Sequence, residues 1–432
     1  MTRSDILETF TPDAASQLPG PEWMEKRRTA AAEEAARLGP PSTDEEVWRY
    51  SRVGDLDLDR FSPVLPVGQP PAGLPAASTE LLGTVTRRSG FVVLCNGRIM
   101  EAQLDAAVAD QGVTLGLLAD RADGGELLGS VAGEPTDAFS SLNEAFAPQP
   151  FVIEVPAGVR IEHPIVVHQW TDTADIASFT RLLVIAGEGS EVEILDQESG
   201  SDVAAFNGPV VELDVGRAAR VRYLNVQDTG DAIWRIGNQA SRVGRDATLV
   251  SAQAALGGWY ARTRADCRLE GTGGSGDLLA LYFGEGDQML DFRTFQDHVA
   301  PDTTSDLVFK GAVTDRSKVV YTGLIHVGRE ASGTNAYQTN RNLKLGDEAW
   351  AESVPNLEIE TNDVKCSHAS TVGPIDEEQR FYLESRGVPP VVAERLVVSG
   401  FFGEVLERLP VEALVPSLRD RIVDRLRERE ES

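Results

Sequence analysis

Close to the C-terminal end, the stretch Asn362-Asp-Val-Lys-Cys-Ser-His-Ala-Ser370 sets one of the chain's three cysteines and one of its five histidines either side of a single serine. In an extended strand, residues two apart share a face. The Cys366 thiol and the His368 imidazole then project together, with Lys365 and Ser367 opposite. A thiolate beside an imidazole suits iron, zinc or iron–sulfur chemistry. Two ligands do not close a site, so a metal there needs further donors from another chain or from a transient carrier. Two other readings compete. A Cys–His nucleophilic dyad also wants both groups on one side, but no glycine-bearing nucleophile elbow or oxyanion-hole pattern accompanies Cys366. The plainer alternative is a small buried thiol next to a hydrogen-bonded strand histidine.

The remaining chemistry-bearing residues make weaker cases. Cys95, Cys267 and Cys366 lie far apart with no C-x-x-C pair, so the chain cannot supply a four-thiolate site. Cys95 and Cys267 fall in apolar or alternating strands and read as core. His298 and His326 have no partner at metal-ligand spacing and read as structural. His163 and His168 are five apart and fall on opposite strand faces. The glycine-rich 270–277 lacks the Gly-Lys-Ser/Thr ending of a phosphate loop, and no helix follows it, so the chain does not read as an ATPase. Its carboxylates are too dispersed to nominate a glycosidase pair.

Several elements must position the Cys–His pair. Residues 1–61 read as helical: Pro21 opens one helix that stops at Gly39-Pro40-Pro41, and Ser42 with Glu45 forms a capping box for a second. Residues 62–79 are rich in proline, glycine and small side chains and read as a linker. From 80 to 374 short β-branched runs alternate with turns, and a helix is expected over 136–148. Turn glycines at 158, 187, 216, 244 and 271 recur every 27–29 residues. That period, without helices between strands, predicts a stack of coils in a β-helix rather than a β-sandwich. Gln338, Asn340 and Asn342 sit two apart, share one strand face and suit an amide ladder in a solenoid. Residues 375–432 return to helix, with Asp376 as a cap and an apolar stripe at Leu414, Leu418, Ile422 and Leu426. This helical part reads either as a cap on the solenoid's open edge or as a docking surface, and as separable from the solenoid.

The bulk composition narrows the function classes. The 432 residues are 41% hydrophobic, enough for a large core, and carry a formal charge of −28. Such a surface repels phosphate backbones and anionic lipid, so neither nucleic acid nor membrane is expected as a partner. No apolar run reaches the length of a membrane span, and the first residues carry no signal-peptide core, which predicts a cytoplasmic protein.

The text "GTNAYQTNRNLKL" followed by "PNLEIETNDVKCSHASTVGPIDEEQRFYLESRGVPPVVAERLVVSGFFGEVLERLP" resembles the SufB/SufD family of iron–sulfur cluster assembly scaffolds. The likeness is strongest over 320–410 and weaker through the solenoid. The "VKCSH" form and the arm "DEEVWRYSRV" resemble the SufD branch, and no SufB-type N-terminal cysteine cluster is present. The resemblance implies a right-handed parallel β-helix with helical N- and C-terminal parts and no enzymatic activity of its own. It implies a complex with SufB and the ATPase SufC, SufC docking on the helices at 376–410, and it leaves room for a homodimer of the isolated chain. His368, with Cys366 beside it, is then expected to contribute to a transient iron–sulfur cluster at the interface with SufB. No cofactor is expected to stay tightly bound to the isolated chain. A purely structural scaffold subunit is the alternative, and a β-helix polysaccharide enzyme a distant third.

Overall fold

A computed structural model describes residues 9–65 and 73–431. The chain is mainly β and winds into a parallel solenoid of about eight turns, with helices in its N- and C-terminal parts. One sheet stacks Phe151–Val155, Arg181–Ala186, Val210–Val215, Trp234–Val243, Tyr260–Leu269, Met289–His298, Lys318–Val327 and Trp350–Ile359. The second stacks Gly90–Cys95, Ile165–Thr171, Glu191–Gly200, Arg220–Asp228, Thr248–Ala255, Ser275–Gly284, Thr304–Val313, Thr334–Lys344 and Val364–Gly373. Each coil contributes one strand to each sheet, and every neighbouring pair within the stack is parallel. At the N-terminal end the stack is finished by antiparallel strands, Arg98–Leu104 on one sheet and Thr114–Leu117 on the other. At the C-terminal end nothing among the described residues pairs the outer edges of Trp350–Ile359 and Val364–Gly373.

The glycine period has a steric cause. A Cβ added at Gly187 would lie 2.6 Å from the Ala157 nitrogen, at Gly216 2.7 Å from the Ala186 oxygen, at Gly244 2.9 Å from the Val215 oxygen, and at Gly271 1.9 Å from the Arg245 nitrogen. At this corner the chain passes too close to the preceding coil to admit any side chain. Gly158 belongs to the same corner for a different reason: it has φ +75° and open space around it, and Pro156 occupies the position aligned with Gly187.

Three apolar clusters hold the molecule together. The lumen between the sheets is filled by inward residues such as Val184, Ile194, Leu213, Leu249, Phe292 and Tyr321. The outer face of the first sheet is covered by the N-terminal part. There the Glu22–Leu38 and Ala138–Phe146 helices pack on each other, and the second is capped by Asp137 through the Ser140 amide. The outer face of the second sheet is covered by the helices Pro390–Leu406 and Val415–Glu431.

Three expectations need correction here. The segment after Leu38 does not continue as α-helix. Ser42 and Glu45 do form half a capping box, with the Ser42 amide donating to Glu45 Oε1 at 3.0 Å, but only 3-10 turns follow and Tyr50 takes φ +67°. Tertiary contacts override the local signal. Trp48 is buried against Arg262, whose guanidinium stands 3.9 Å from its ring centroid and donates to the Val47 carbonyl, while Arg293 donates to the Arg49 carbonyl. The arm is thus pinned along the first sheet as a run of short 3-10 turns. The second correction concerns 62–79. Ser62–Pro63 adds to a short parallel ladder with Ile176–Ala177, and a helix already begins at Ala76; residues 66–72 lie outside the described residues. The third concerns the C-terminal helices. Leu414, Leu418, Ile422 and Leu426 are buried with Val398 and Phe402 in one cluster with Leu224, Val226, Leu279, Leu281 and Phe283 of the second sheet. The stripe therefore covers the flank of the solenoid rather than its open end, and these helices share a core with it.

Candidate functional site

The Val364–Gly373 strand is the last of the second sheet, and its register explains what the Cys–His pair faces. Cys366 pairs with Ala336 and His368 with Gln338, both buried on the inner face of the preceding strand. Period two then directs Cys366 and His368 along the lumen side of the terminal coil, while Lys365 and Ser367 continue the outer face of Asn335 and Tyr337. The expected common face of the pair is present. Their environments differ. Cys366 is half-buried against Ile325, Val327, Ala331 and Ala336, whereas His368 is exposed where the stack ends. Burial pushes the Cys366 thiol up, with a partly compensating hydrogen bond from the Ala336 backbone. A thiol held in that form is a poor resting nucleophile, which runs against the Cys–His dyad.

Among the described residues, no cluster of three or more His, Cys, Asp or Glu side chains stands close enough to hold a metal ion. What the terminal coil offers is a partial donor set, one thiol and one imidazole on one face, beside two strand edges with no partner. An edge of that kind is a template for pairing with another chain.

Of the other histidines, His168 and His298 are buried, while His163 and His326 are partly exposed. His168 bonds Ser78 Oγ at 2.7 Å and Ser199 Oγ at 2.6 Å, and His298 bonds Thr303 Oγ1 at 2.8 Å and Ser305 Oγ at 2.9 Å. His326 Nδ1 lies 2.7 Å from Asp297 on the outer face of the first sheet. Cys95 and Cys267 are buried, and burial pushes their thiols up to about 11 and about 12. Asn340 and Asn342 form the expected ladder, bonded to Tyr282 Oη at 2.9 and 2.6 Å and to each other at 2.8 Å.

Sequence reasoning did not find the charges inside the lumen. Glu198 and Arg235 pair at 2.7 Å, and Asp196 accepts from Tyr223 Oη at 2.8 Å, all buried. Burial, then the neighbouring Glu198, pushes the Asp196 carboxyl up to about 7. The only signal in the sequence was a charged residue at an inward position of an alternating strand. It also missed that Gln338, the first rung of the amide ladder, leaves both amide atoms without a hydrogen-bond partner.

The buried histidines make stability depend on pH. Burial lowers His168 and His298 to about 4, so between that value and the ordinary imidazole value the unfolded chain binds more protons than the folded one. Their contribution is complete above about pH 6.5 and is lost as pH falls toward 4, by up to about 1.4 kcal/mol per pH unit for each histidine. Asp196 works in the opposite sense, because its raised value gives stability at low pH that is lost as pH rises to about 7. Urea titrations from pH 7 to 5 should therefore show a flatter acid limb for His298→Gln than for the parent chain. Parallel curves would contradict a neutral buried His298.

Comparison with known proteins bears on most of the chain, between residues 14 and 401. A family model described as SUF system FeS cluster assembly, SufBD core domain, matches residues 169–401, and one for the SufBD protein N-terminal region matches residues 14–167. An iron–sulfur cluster assembly SufBD family protein of Mycobacterium tuberculosis is 36% identical over 303 residues, covering 67% of this chain and 73% of the relative. One from Mycobacterium leprae is 35% identical over 304 residues, covering 67% and 74%. One from Staphylococcus saprophyticus is 29% identical over 279 residues, covering 64% and 60%. The solenoid with its covered flanks and the match along both halves lead to one conclusion: this chain belongs to the SufBD family of iron–sulfur cluster assembly proteins.

Proposed function

We propose that the chain is the SufD-type, non-catalytic subunit of a complex with a SufB chain and the ATPase SufC, and that it lends His368, with Cys366 nearby, to a nascent cluster shared with SufB. The observation that carries this reading is the pairing of an incomplete donor set with an uncovered edge. Cys366 and His368 face one way on the outermost strand, and among the described residues neither terminal strand is paired on its outer side. A second chain that pairs with those edges would complete the ligand set, and parting from it would open the site for transfer of the cluster. The cluster is cargo here and does not stay with the isolated chain.

The ATPase surface is assigned to the first two C-terminal helices. The Glu377–Ser385 helix buries no residue, and Phe381, Tyr382, Val391, Val392 and Leu396 are exposed, Phe381 by 71%. Beside them runs a groove of about 1050 Å³ whose lining includes Tyr382, Leu396, Phe401, Lys310 and Arg341. An apolar cluster of this size on an acidic protein fits a protein partner better than solvent. A purely structural subunit remains the second reading, favoured by the shortage of donors among the described residues.

Affinity purification of the chain from its own cells, followed by anaerobic reconstitution with iron and sulfide, tests the assignment. The expected result is a complex containing SufB and SufC partners, with cluster absorption that is absent from the isolated chain. Co-elution with neither partner would rule the assignment out.

A further inference from the structure

Among the described residues, eight other than glycine take φ above zero, and of these only Val411 and Tyr50 carry bulky side chains. Five of the others are Asn or Asp, which tolerate that region. Val411, at φ +59°, has a local reason for its strain. It is buried in the core under the C-terminal helices, and its amide donates to Glu193 Oε1 at 3.1 Å. Tyr50, at φ +67°, is 44% exposed. Asn or Gly would hold the same turn with less strain, so the fold of the chain alone gives no reason for a tyrosine there.

Its position supplies one. The arm climbs the first sheet toward the C-terminal end of the solenoid. The Val47 carbonyl accepts from Arg262 of Tyr260–Leu269, and the Arg49 carbonyl from Arg293 of Met289–His298. The Tyr50 ring then reaches Trp350, the first residue of Trp350–Ile359, with ring centroids 6.0 Å apart. There the chain turns back. The Ser51 amide and hydroxyl both donate to the Trp48 carbonyl, and Arg52 donates to the Trp259 carbonyl, three coils before Trp350. Tyr50 is thus the tip of the arm. It stands beside the outermost strand of the first sheet, whose outer edge is unpaired among the described residues. The Arg49 guanidinium lies 5.4 Å from the Tyr50 ring centroid, so the tip presents Tyr, Trp and Arg together. These are the residue types enriched where protein interfaces are anchored.

We propose that Tyr50, with Trp350, anchors the SufB chain that continues the first sheet past Trp350–Ile359. A strand added at that edge lies about 4.8 Å beyond Trp350. A side chain on its outer face, in the row of Trp350, falls beside both rings, within the range of about 4.5–7 Å at which aromatic groups meet. The edge supplies main-chain hydrogen bonds that any strand can take, and the aromatic tip adds selectivity. The strained tyrosine is kept because its main contact is made in the complex rather than in the isolated chain. The proposal rests on the reading of the terminal coil as the end that faces SufB, and extends that surface from the two strand edges to the N-terminal arm.

Calorimetric titration of the full-length chain with the SufB chain of the same organism, beside thermal melts of each variant alone, tests the anchor. Tyr50→Asn keeps the turn and removes the ring. Its melt should stay where it was or rise, and its affinity for SufB should fall about tenfold or more. Tyr50→Phe keeps the ring and should bind as the parent does. Trp259→Ala removes another exposed aromatic, three coils from the end, and should also bind as the parent does. Tyr50→Gly gives the same comparison if Asn disturbs the turn. A parent chain that binds SufB and a Tyr50→Asn variant that binds it equally well would overturn the proposal and leave the reading of the terminal coil intact. Equal losses in Tyr50→Asn and Trp259→Ala would put the partner along the arm rather than at the end, which also overturns it. So would melts lowered by both Tyr50→Asn and Tyr50→Gly, since the ring would then serve the fold. Self-association lost in Tyr50→Asn with SufB affinity unchanged would put a second copy of this chain on the tip instead of SufB. No binding of SufB by the parent chain would remove the reading itself, and this proposal with it.

Discussion

His368→Ala should leave the solenoid and its complex assembled while cutting the iron and sulfide held after anaerobic reconstitution by about tenfold or more. The two halves of this expectation have separate physical grounds. His368 is exposed on an outermost strand, and truncating an exposed side chain away from the core typically changes stability by no more than about 0.5 kcal/mol. The loss of loading follows from the shortage of donors. The described chain holds no cluster of three ligating side chains, so each donor it lends is a large share of what it can lend. Cys366→Ala should do less. Burial raises the Cys366 thiol, so ligation first costs removal of a proton, whereas a neutral imidazole is ready to bind. For the same reason the deficit of Cys366→Ala should widen as reconstitution is moved to higher pH. Iron and sulfide analysis with the visible absorption of the cluster reads all three variants. Equal content and equal transfer to an apo-acceptor in parent and His368→Ala would favour the purely structural subunit.

The features of this site legible in the sequence are those that depend on local periodicity. The shared face of Cys366 and His368 needs only a strand's period of two. The solenoid was legible because its corner glycines answer to a contact repeated in every coil, as the 1.9–2.9 Å approaches at Gly187, Gly216, Gly244 and Gly271 show. What was not legible depends on distant partners. The Ser42–Glu45 pair signals a helix start, and the hydrogen bond is made, but Arg262 and Arg293, more than two hundred residues away, hold the chain in 3-10 turns against the sheet. The Leu414–Leu426 stripe announces an amphipathic helix without saying which surface it meets. Gln338 reads as one of three equivalent amides, and only the placement of Tyr282, which satisfies Asn340 and Asn342 but not Gln338, sets it apart.

The C-terminal helices bring two aromatic residues, Phe381 and Phe402, into sharp contrast, and their variants should fail in opposite ways. Phe402 is fully buried with Val398, Val405 and Leu406 against the second sheet. Phe402→Ala should lower the urea-derived stability by about 3–5 kcal/mol, from the lost transfer energy and the cavity left behind. Against a typical domain stability of about 5–15 kcal/mol, that is a large fraction, and removal of residues 376–432 as a whole should leave the flank of the solenoid bare and the protein aggregated. Phe381 is 71% exposed on a helix that buries nothing, so Phe381→Ala should leave the same urea curve in place. On the proposed reading it should nevertheless weaken binding of the ATPase by about 2 kcal/mol or more, the scale of an aromatic anchor at an interface centre, or roughly thirtyfold in affinity. Titration calorimetry with the ATPase, beside urea melts of both variants, separates fold from docking. Unchanged affinity in Phe381→Ala, repeated in Tyr382→Ala and Leu396→Ala, would move the docking surface elsewhere. A melt shifted by Phe381→Ala would mean instead that this helix packs on the body of the protein more closely than its exposure indicates.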